Sequence, residues 1–342
     1  MKTPKLRFSA IGMNHGHIYG QTQILLDAGA ELVSYYAEEP DLMKQYGDRF
    51  PWAKPARSKQ EILEDETIQM VISAAIPCER ADLGIEVMQH SKDYMSDKPG
   101  FTTLEQVAEA RRVQKETGRI YSVCFSERLD NPVSVRTAEL IRSGAIGRVV
   151  QTIGLGPHRA NLPSRPDWFF QRQRYGGILI DIASHQFDQF LYYTGSTQAE
   201  IISAQVGNFK YPQYPELEDF GDVTLRSETA AGFIRVDWYT PDGLATWGDG
   251  RLFILGTEGY IENRKYIDIA GRPGGNHLFW VDHKGTHYED CTPIEKPYGR
   301  QLIEDVFNRT ETAMSQEHAF YASELAIRAE NQAVRLGYLQ KG

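Results

Sequence analysis

A pair of glycines in the middle of the chain leads into an acid and an imidazole, in the run Gly176-Gly177-Ile178-Leu179-Ile180-Asp181-Ile182-Ala183-Ser184-His185. Asp181 and His185 are four positions apart at the predicted start of an amphipathic helix, so we expect them on one face, with Cβ atoms about 5–6 Å apart. A carboxylate beside an imidazole holds its tautomer and raises its basicity, which suits a group that accepts a proton near neutral pH. An ordinary helix start, with Asp181 near the helix dipole and His185 bonded in a core, is the alternative.

A lysine next to a proline occurs far upstream, in the run Tyr94-Met95-Ser96-Asp97-Lys98-Pro99. The residue before a proline is forced into extended backbone, so Lys98 is restrained and its amine can be aimed; the bond to Pro99 is also a candidate cis peptide. Open α/β sheets bind ligands at the carboxyl ends of their strands. Lys98 is therefore a candidate catalytic residue, and the alternative is a solvated lysine in a surface turn.

The first predicted strand is followed by the run Gly12-Met13-Asn14-His15-Gly16-His17-Ile18-Tyr19-Gly20. A strict G-x-G-x-x-G reading fails because Asn14 and His17 stand at the second and third glycine positions. Gly12 can still supply the tight turn, asparagine tolerates left-handed backbone, and the next helix offers its first amides to a pyrophosphate. The predicted cofactor contacts here are Gly12, Met13, Asn14, His15 and Gly16, and a plain strand-to-helix turn is the alternative.

The second predicted strand ends in Tyr35-Tyr36-Ala37-Glu38-Glu39-Pro40, which carries acid and neither lysine nor arginine. An acid at this place binds the ribose 2′-hydroxyl of NAD and repels the 2′-phosphate of NADP. Because Ala37 occupies the position expected for that acid, Glu38 is the nearest substitute. The sequence therefore predicts NAD, with NADP disfavoured.

Up to about Phe125, short apolar runs alternate with helical patterns, which predicts an α/β Rossmann domain with a doubly wound parallel sheet over residues 1–125. Its predicted strands are Leu6 to Ile11, Glu31 to Tyr36, Ile68 to Ala75, Tyr94 to Met95 and Ile120 to Phe125. Its predicted helices are Ile18 to Ala28, Lys59 to Asp65 with Ser58 as cap, Arg80 to His90, and Thr103 to Thr117 with a Thr103–Gln106 capping box. The stretch after residue 36 is predicted to be irregular until Lys59.

The pattern changes beyond a helix predicted over Val133 to Arg142, and residues 126–342 are predicted to form an α+β domain with a large, mostly antiparallel open sheet. Its predicted strands are Arg148 to Ile153, Ile201 to Val206, Gly221 to Arg226, Gly232 to Trp238 and Arg251 to Leu255. Its further helices are predicted at Leu179 to Tyr193, Tyr298 to Met314 and Glu317 to Leu339. This domain is expected to bind the substrate and to carry the oligomer interface.

Composition narrows the class of protein. A chain of 342 residues with 41% hydrophobic and 24% charged residues is typical of a soluble globular protein of two domains. A formal charge of −9 without a basic cluster argues against nucleic acid and membrane surfaces. The few residues before Leu6 are too short for a signal peptide, and the three scattered cysteines fit reduced thiols, so we expect a cytoplasmic location.

One constellation resembles a metal site: His283 and His287 with Cys291 four residues further on. The Lys284-Gly285 pair is typical of a hairpin turn, which would spread these side chains along exposed strands. We therefore predict no metal.

Taken together, the motifs resemble those of the glucose-fructose oxidoreductase, inositol dehydrogenase and rhizopine-catabolism family (Gfo/Idh/MocA). Asp97-Lys98-Pro99 looks like its Glu-Lys-Pro signature, and residues 176–185 match its Gly-Gly-x-x-x-Asp-x-x-x-His signature. The resemblance covers nearly the whole chain, including the crossover run of residues 140–147. It implies that Lys98, Asp181 and His185 carry the catalysis and that NAD lies at the carboxyl edge of the first sheet, where Ala75, Pro77 and Lys98 join its contacts. The departures are Asp97, the irregular loop, and Pro77-Cys78 where many members have Pro-Asn.

The resemblance and the residue chemistry together predict an NAD-dependent oxidoreductase that oxidises a secondary hydroxyl of a sugar, polyol or sugar derivative. His185 would be the base, Lys98 would stabilise the developing alkoxide, and Asp181 would orient the substrate or the imidazole. Two alternatives stay open: an NAD-retaining glycosidase or lyase that oxidises its sugar transiently, and a non-catalytic NAD-binding regulator. The predicted substrate contacts are Arg128, His158, Arg159 and Trp168, with Trp168 equally compatible with an ordinary core.

Assembly is predicted from the alternating apolar residues of the second domain, which would give its sheet an apolar face: Phe233, Val236, Trp238, Phe253 and Leu255. Because members of the family commonly pair through this sheet, the resemblance implies a homodimer or a homotetramer. The alternative is that these residues pack only beneath the domain's own helices.

Overall fold

The computed structural model describes residues 5–337, which divide into two units. The first unit contains the described residues up to Cys124 together with Pro297–Phe320. The second contains Phe125–Lys296 and the described residues from Tyr321 onward. The segment 297–320 thus groups with the first unit, whereas the sequence analysis assigned it to the second domain.

The first unit is built on six parallel strands. Up to residue 124 its elements are β1 (Arg7–Ile11), α1 (His17–Asp27), β2 (Glu31–Tyr36), α2 (Pro40–Arg49), β3 (Lys54–Pro55), α3 (Lys59–Leu63), β4 (Met70–Ser73), α4 (Arg80–Gln89), β5 (Asp93–Asp97), α5 (Leu104–Thr117) and β6 (Tyr121–Cys124). The strand order is β3-β2-β1-β4-β5-β6, and every neighbouring pair is parallel. This doubly wound sheet confirms the fold predicted for the first domain.

Local signals in the sequence account for most of these helices. The Ser58 side chain accepts a hydrogen bond from Glu61 N and caps α3, and Thr103 and Gln106 form the predicted capping box at α5. Helix α2 was missed. Its signal is Pro40, which stands at the first helical position, where a missing N–H costs nothing.

The segment 297–320 belongs to the first unit because its side chains bond to the last strand of that unit. Hydroxyl groups of Ser122 on β6 and Tyr298 lie 2.8 Å apart, and Gln316 accepts a hydrogen bond from the Tyr121 amide. Gly299 packs so closely on α1 that a Cβ there would lie 2.6 Å from the Ile24 carbonyl oxygen. These hydrogen-bonded residues are almost 200 positions apart, so no local sequence pattern predicts that they will meet.

The second unit is built on a nine-stranded sheet. Its elements up to residue 296 are α6 (Ser126–Leu129), α7 (Pro132–Arg142), β7 (Val149–Pro157), α8 (Arg172–Tyr175), α9 (Ile178–Asp181), α10 (Ser184–Thr194), β8 (Glu200–Gly207), β9 (Phe220–Arg226), β10 (Ala231–Asp237), β11 (Arg251–Gly256), β12 (Tyr260–Arg264), β13 (His277–Asp282) and β14 (Gly285–Asp290). The chain then continues through α11 (Tyr298–Asn308), α12 (Gln316–Gln332) and β15 (Val334–Leu336).

This sheet has the order β14-β13-β12-β11-β7-β10-β9-β8-β15. Two neighbouring pairs, β10 with β7 and β15 with β8, are parallel, and the others are antiparallel. The large mixed sheet confirms the predicted class. Strands β12 to β14 were not predicted. The predicted hairpin is present, with residues 283 and 284 in its turn and Gly285 as the first residue of β14.

The two last predicted helices differ from the structure. The helix expected over Tyr298 to Met314 ends at Asn308, and the one expected over Glu317 to Leu339 ends at Gln332 and gives way to β15. Residues 338 and 339 of that prediction lie outside the described residues. β15 pairs in parallel with β8, so strand pairing overrides a local helical pattern here.

Candidate functional site

Of the three glycine positions in the G-x-G-x-x-G motif, the turn after β1 requires glycine only at the first, Gly12. Gly12 has φ +76°, and a Cβ there would lie 2.6 Å from the Ala75 Cβ. Gly16 has helical backbone with φ −62°, and Asn14 is outside the left-handed region, which corrects the reason given for it above. His17 is the first residue of α1. The irregular loop therefore keeps the one glycine that sterics require.

A cleft at this edge of the first sheet has a mostly acidic lining. It is lined by Ile11, Gly12, Asn14, Tyr36, Ala37, Glu38, Glu39, Lys59, Gln60, Ala75, Glu79, Asp82, Leu83 and Glu86. Five carboxylates face a single cation, Lys59, which itself is paired with Glu86 at 2.5 Å. Of the predicted cofactor residues, Gly12, Asn14, Glu38 and Ala75 line this cleft. Asn14 is held by a 2.6 Å hydrogen bond to Glu39.

The other predicted cofactor residues lie on the same turn or beside it. Met13 is buried, His15 donates its backbone N–H to the Ala74 carbonyl at 2.9 Å, and Gly16 is the residue that precedes α1. Pro77 is buried at the start of a short 3₁₀ turn that leads into α4.

A charged cluster joins the start of α1 to the end of β5. Nδ1 of His17 lies 2.9 Å from Asp97 Oδ1, Nδ1 of His15 lies 3.5 Å from Asp97 Oδ2, and the Arg80 guanidinium lies 3.2 Å from the same oxygen. Burial raises the pKa of Asp97, but the positive charges of His17 and Arg80 outweigh it and hold that pKa well below its usual range. Burial, followed by the charge of His17, lowers the pKa of His15.

Within the described residues, His15, His17 and Asp97 are one set whose donor atoms could converge on a metal ion, all lying within 4.8 Å of one another. The buried Arg80 guanidinium already neutralises Asp97, and Lys98 adds a further positive charge beside His15. Electrostatics at this cluster therefore favour an anion over a divalent cation.

Arg80 is the residue that fixes the Lys98 turn, and the sequence analysis missed it. Its side chain is 1% exposed and donates from Nε to the Ala75 carbonyl at 2.7 Å and from Nη1 to the Lys98 carbonyl at 2.6 Å. The Lys98–Pro99 peptide is cis, as the sequence allowed. Lys98 itself is buried at the carboxyl end of β5. The local sequence shows only an arginine at the start of a helix, which does not predict that it binds the Lys98 carbonyl.

The glycine pair of the second unit has a steric reason. Gly176 ends α8 with φ +98°, and Gly177 has φ +107°. A Cβ on Gly177 would lie 2.4 Å from the carboxyl carbon of Glu330. Gly177 therefore makes room for a buried acid that is far away in the sequence.

Two buried carboxylates cap the start of α9. Glu218 accepts a hydrogen bond from the Ile178 amide at 2.9 Å, and Glu330 accepts one from the Leu179 amide at 3.2 Å. Arg172 bridges both acids, with distances of 3.2 Å to Glu218 and 2.7 Å to Glu330. Burial, with the neighbouring charge of Glu218, raises the pKa of Glu330 above its ordinary value. The arrangement fixes the backbone just before Asp181.

The continuous helix predicted through Asp181 and His185 is wrong. α9 ends at Asp181, residues 182 and 183 form a turn, and α10 begins at Ser184. The His185 amide donates to the Ile182 carbonyl at 3.2 Å, three residues back. Two short helices joined by a turn thus replace the one predicted helix. His185 is 2% exposed, whereas Asp181 is partly exposed.

Helix α10, which carries His185, is held in place by buried polar contacts at Asp188, three residues further along the helix. Asp188 accepts two 2.7 Å hydrogen bonds from Arg128, and the Arg128 guanidinium also lies over the Tyr192 ring. Arg128 is 7% exposed. The bidentate pair with Asp188 gives Arg128 a structural task, and its contact with the substrate stays a prediction.

Of the other predicted substrate residues, two have partners within the protein. Arg159 donates to three carbonyl groups of the loop after β10, namely those of Pro241, Leu244 and Thr246. Trp168 is 8% exposed and packs edge-on against Phe169, which is the core placement considered above. Arg159 therefore pins a loop, and Trp168 packs in the core.

His158 is partly exposed and lies directly after β7. Its Nδ1 donates to the Gly156 carbonyl at 3.0 Å, and its ring packs against Trp247 with 4.4 Å between centroids. Trp247 is 40% exposed and was not predicted; a lone tryptophan in a loop gives little signal. The loop that Arg159 pins thus presents an indole beside an imidazole.

The second metal-like constellation is dispersed, as the hairpin predicted. His287 bonds Asp282 at 2.9 Å and stacks on Trp280, while His283 is 79% exposed. Cys291 is fully buried in the apolar cluster beneath the sheet.

Comparison with protein families covers both units. Residues 6–125 match the model described as an oxidoreductase family with an NAD-binding Rossmann fold, and residues 135–262 match the Gfo/Idh/MocA C-terminal domain. The chain belongs to the Gfo/Idh/MocA oxidoreductase family. It is an enzyme of the oxidoreductase class, and both signatures that suggested this Gfo/Idh/MocA membership lie inside the matched ranges.

Similar proteins support this membership. The chain is 27% identical to scyllo-inositol 2-dehydrogenase (NAD(+)) of Bacillus subtilis (strain 168) over 292 residues, which cover 83% of this chain and 79% of that protein. A crystal structure from Erwinia carotovora atroseptica SCRI1043 is 45% identical, covers 97% of this chain and 100% of its own, and has a TM-score of 0.94; its oxidoreductase description is itself an inference. A 3-ketoreductase of Actinomadura kijaniata in complex with NADP shares the fold, with 14% identity, a TM-score of 0.79 and coverage of 97% and 99%.

The first unit fits the dinucleotide that this family binds. Gly12 leaves open a cradle that a Cβ would fill, and helix α1 begins at His17, at the end of the same turn. The cleft beyond is lined mainly by carboxylates. Among the described residues no helix is long and apolar enough to cross a membrane.

Proposed function

We propose that the chain is an NAD-dependent dehydrogenase that oxidises a secondary hydroxyl of a sugar, polyol or sugar derivative, with His185 as the base. The observation that supports this most is the placement of His185: a buried imidazole, at the family's histidine position, on a helix fastened by Arg128 and Asp188. A base must be held still to accept a proton in the transition state. The inositol dehydrogenase relative supports a polyhydroxylated substrate.

Lys98 and Asp181 are proposed to assist. When bound, the nicotinamide supplies the acceptor for the hydride. The ammonium of Lys98 would stabilise negative charge on the substrate oxygen as its proton leaves. Arg80 supports this role because it holds the backbone carbonyl of Lys98. Asp181 would accept a hydrogen bond from a neighbouring hydroxyl and so orient the substrate.

The cofactor is proposed to be NAD. Glu38 and Glu39 belong to a cleft lined by five carboxylates, and a 2′-phosphate would add negative charge to it. The NADP complex of the 3-ketoreductase belongs to a protein only 14% identical to this one, so it does not weigh against this preference.

The test is to follow absorbance at 340 nm while the purified enzyme, checked for co-purified NAD, turns over a panel of inositols, aldoses and anhydro sugars. The proposal expects NADH to accumulate with at least one substrate, and to accumulate on the order of 10²-fold more slowly or less in His185→Ala. Product without net NADH would support the NAD-retaining glycosidase or lyase instead. Tight NAD binding with no turnover on any of them would support the non-catalytic regulator.

We also propose a homodimer or homotetramer that forms through the open face of the nine-stranded sheet. Phe233 on β10 and Phe253 on β11 are both paired with Ile153 on β7, so they form an apolar row across three strands, and all three are partly exposed. Val236 and Trp238, predicted for the same face, are buried on the other one.

The proposed location is the cytoplasm, which suits the free thiols of Cys78, Cys124 and Cys291.

A further inference from the structure

Beneath the helix that carries His185 lies a buried ion pair that the proposed chemistry does not use. Glu127 on α6 and Lys265, which follows β12, are 3% and 1% exposed, and their charged groups are 2.5 Å apart. The two residues are 138 positions apart in the sequence. Taking two charges out of water is costly, so a buried pair of this kind calls for a reason beyond stability.

The pair is attached to α10 through two glutamine side chains. The same oxygen of Glu127 that binds Lys265 also accepts hydrogen bonds from Gln186 at 3.1 Å and from Gln189 at 3.4 Å. Gln186 directly follows His185 in the sequence. Glu127 therefore holds the turn of the helix on which the imidazole stands.

The strand beneath is shaped to admit this contact. A Cβ on Gly154 would lie 2.7 Å from the Gln186 side chain, and one on Gly156 would lie 3.1 Å from its amide nitrogen. Both glycines lie on β7 and have ordinary extended backbone, so conformation does not call for glycine there. Glycine at these two places lets the Gln186 side chain lie flat on the strand and reach Glu127.

The charge of Glu127 also interacts with two imidazoles, those of His185 and His158. Its other oxygen, Oε1, is buried and accepts no hydrogen bond from the described residues. Burial works against the ionised carboxylate, yet Lys265, His185 and His158 together keep the pKa of Glu127 low, at about 2. The carboxylate is thus ionised and interacts electrostatically with both histidines.

Other charged groups lie on the elements packed against α10. They are Arg128 on α6, Asp181 on α9, His158 after β7, Asp188 on α10 itself, and the partner Lys265. Arg128 and Asp188 neutralise each other in a bidentate pair. Asp181 is partly exposed, so water screens its charge more than that of Glu127.

We propose that Glu127 is a positioning residue for His185: it fixes the imidazole's helix turn through Gln186 and supplies the buried negative charge that stabilises the imidazolium formed when His185 takes the substrate proton. Lys265 holds Glu127 in place and moderates that charge. The inference rests on the proposed role of His185 as the base, and it deepens that role.

The experiment measures the protonation midpoint of His185 in the substrate-free enzyme, by NMR titration of its ring Cε1–H signal, assigned with His185→Asn. Glu127→Gln keeps the shape and a hydrogen-bond acceptor but removes the charge, so the midpoint should fall by about one pH unit or more. Lys265→Met removes the opposing charge, so the midpoint should rise. A role in packing alone would not move the midpoint in opposite directions.

Either single variant leaves one buried charge without its partner and can fail to fold. The double variant Glu127→Gln with Lys265→Met removes both charges, keeps the contact to Gln186, and should lower the midpoint by less than Glu127→Gln does. Glu289→Gln is the matched control, because Glu289 pairs with Arg136 at 2.9 Å elsewhere in the same unit; it should leave the midpoint unchanged.

Turnover gives the second readout. Glu127→Gln should lower kcat about tenfold or more and shift the acid limb of its pH profile with the NMR midpoint, while KM changes little, because the charge acts when the imidazolium forms. An unmoved midpoint in both Glu127→Gln and the double variant would overturn the inference. Wild-type turnover of His185→Asn would instead overturn the proposed function, and the NMR midpoints would still report on Glu127.

Discussion

Gly177→Ala tests whether the glycine pair exists to admit a buried acid. With φ +107° and ψ 160°, Gly177 has a backbone conformation that is essentially restricted to glycine, and an alanine there costs about 1–3 kcal/mol in strain. The new Cβ would also displace Glu330, whose carboxyl carbon would be 2.4 Å away. Losing the hydrogen bonds that Glu330 accepts from the Leu179 amide and the Arg172 guanidinium adds about 1.5–3 kcal/mol.

Gly195→Ala is the matched control. Gly195 ends α10 with φ +69° in the same unit, but a Cβ there would meet nothing within 4 Å. Its replacement should therefore cost only the left-handed strain, about 1–2 kcal/mol. The difference between the two variants should be about 1.5–4 kcal/mol, of which the contact with Glu330 contributes about 1.5–3 kcal/mol.

The assay is urea-induced unfolding followed by tryptophan fluorescence. Of the five tryptophans, Trp168, Trp238, Trp247 and Trp280 lie in the second unit and only Trp52 in the first, so the signal reports mainly on the unit that is changed. Because a folded protein is stable by only about 5–15 kcal/mol, Gly177→Ala should lower the urea midpoint clearly. Equal midpoints for the two variants would refute the explanation of the glycine pair.

Four further outcomes are expected. His185→Ala should lower kcat on the order of 10²-fold or more and leave the NAD Kd nearly unchanged by calorimetry; undiminished turnover contradicts the base assignment. Calorimetry should show NAD binding at least roughly tenfold tighter than NADP, about 1.4 kcal/mol, and Glu38→Gln should narrow the gap; equal affinities for the wild type argue against the acid's role. Because the folded-state pKa of Glu330 is raised, the unfolded chain releases its proton first, so stability should fall as pH rises above the ordinary glutamate range; Glu330→Gln should flatten that fall in pH-dependent urea unfolding, and an unchanged slope would count against it. Light scattering at micromolar concentration should give the mass of a dimer or tetramer, whereas a monomeric mass removes the sheet-face interface.

The helix caps and the glycine turn were predicted correctly, because in each case the interacting residues are close together in the sequence. Ser58 caps α3 from three residues away, and the Thr103–Gln106 capping box closes within one turn. Gly12 stands where the chain must turn after β1. Such contacts depend on spacing along the chain, so a pattern can reveal them.

The break between Asp181 and His185 could not be predicted in the same way. The run from Ile178 to Thr194 has a helical pattern, and nothing local in it marks a turn at residues 182 and 183. The start of α9 is fixed by Glu330, which is 151 positions from the Leu179 amide that it caps. Near the start of α10, Gln186 donates a hydrogen bond to Glu127, which lies about 60 positions earlier in the sequence.

The tasks of the arginines were also decided outside the local sequence. Arg128 and Arg159 were predicted as substrate contacts, and in the structure they bind Asp188 and three loop carbonyls. Arg80 gave no signal at all and proved to hold the Lys98 turn. A guanidinium group can donate its hydrogen bonds to any oxygen at a suitable distance and angle. The sequence around an arginine does not show which oxygen that will be.

The sequence by itself therefore determined the fold class and the order of the two signatures, because these depend on hydrophobic periodicity, caps and glycine positions within a few residues of one another. The tertiary structure alone decided which buried charges hold those residues. Lys265 meets Glu127 across 138 positions, and Glu330 meets Gly177 across about 150, separations that no short window of the sequence contains. Burial then makes those few contacts decisive, since a charge removed from water must find its partner inside the fold.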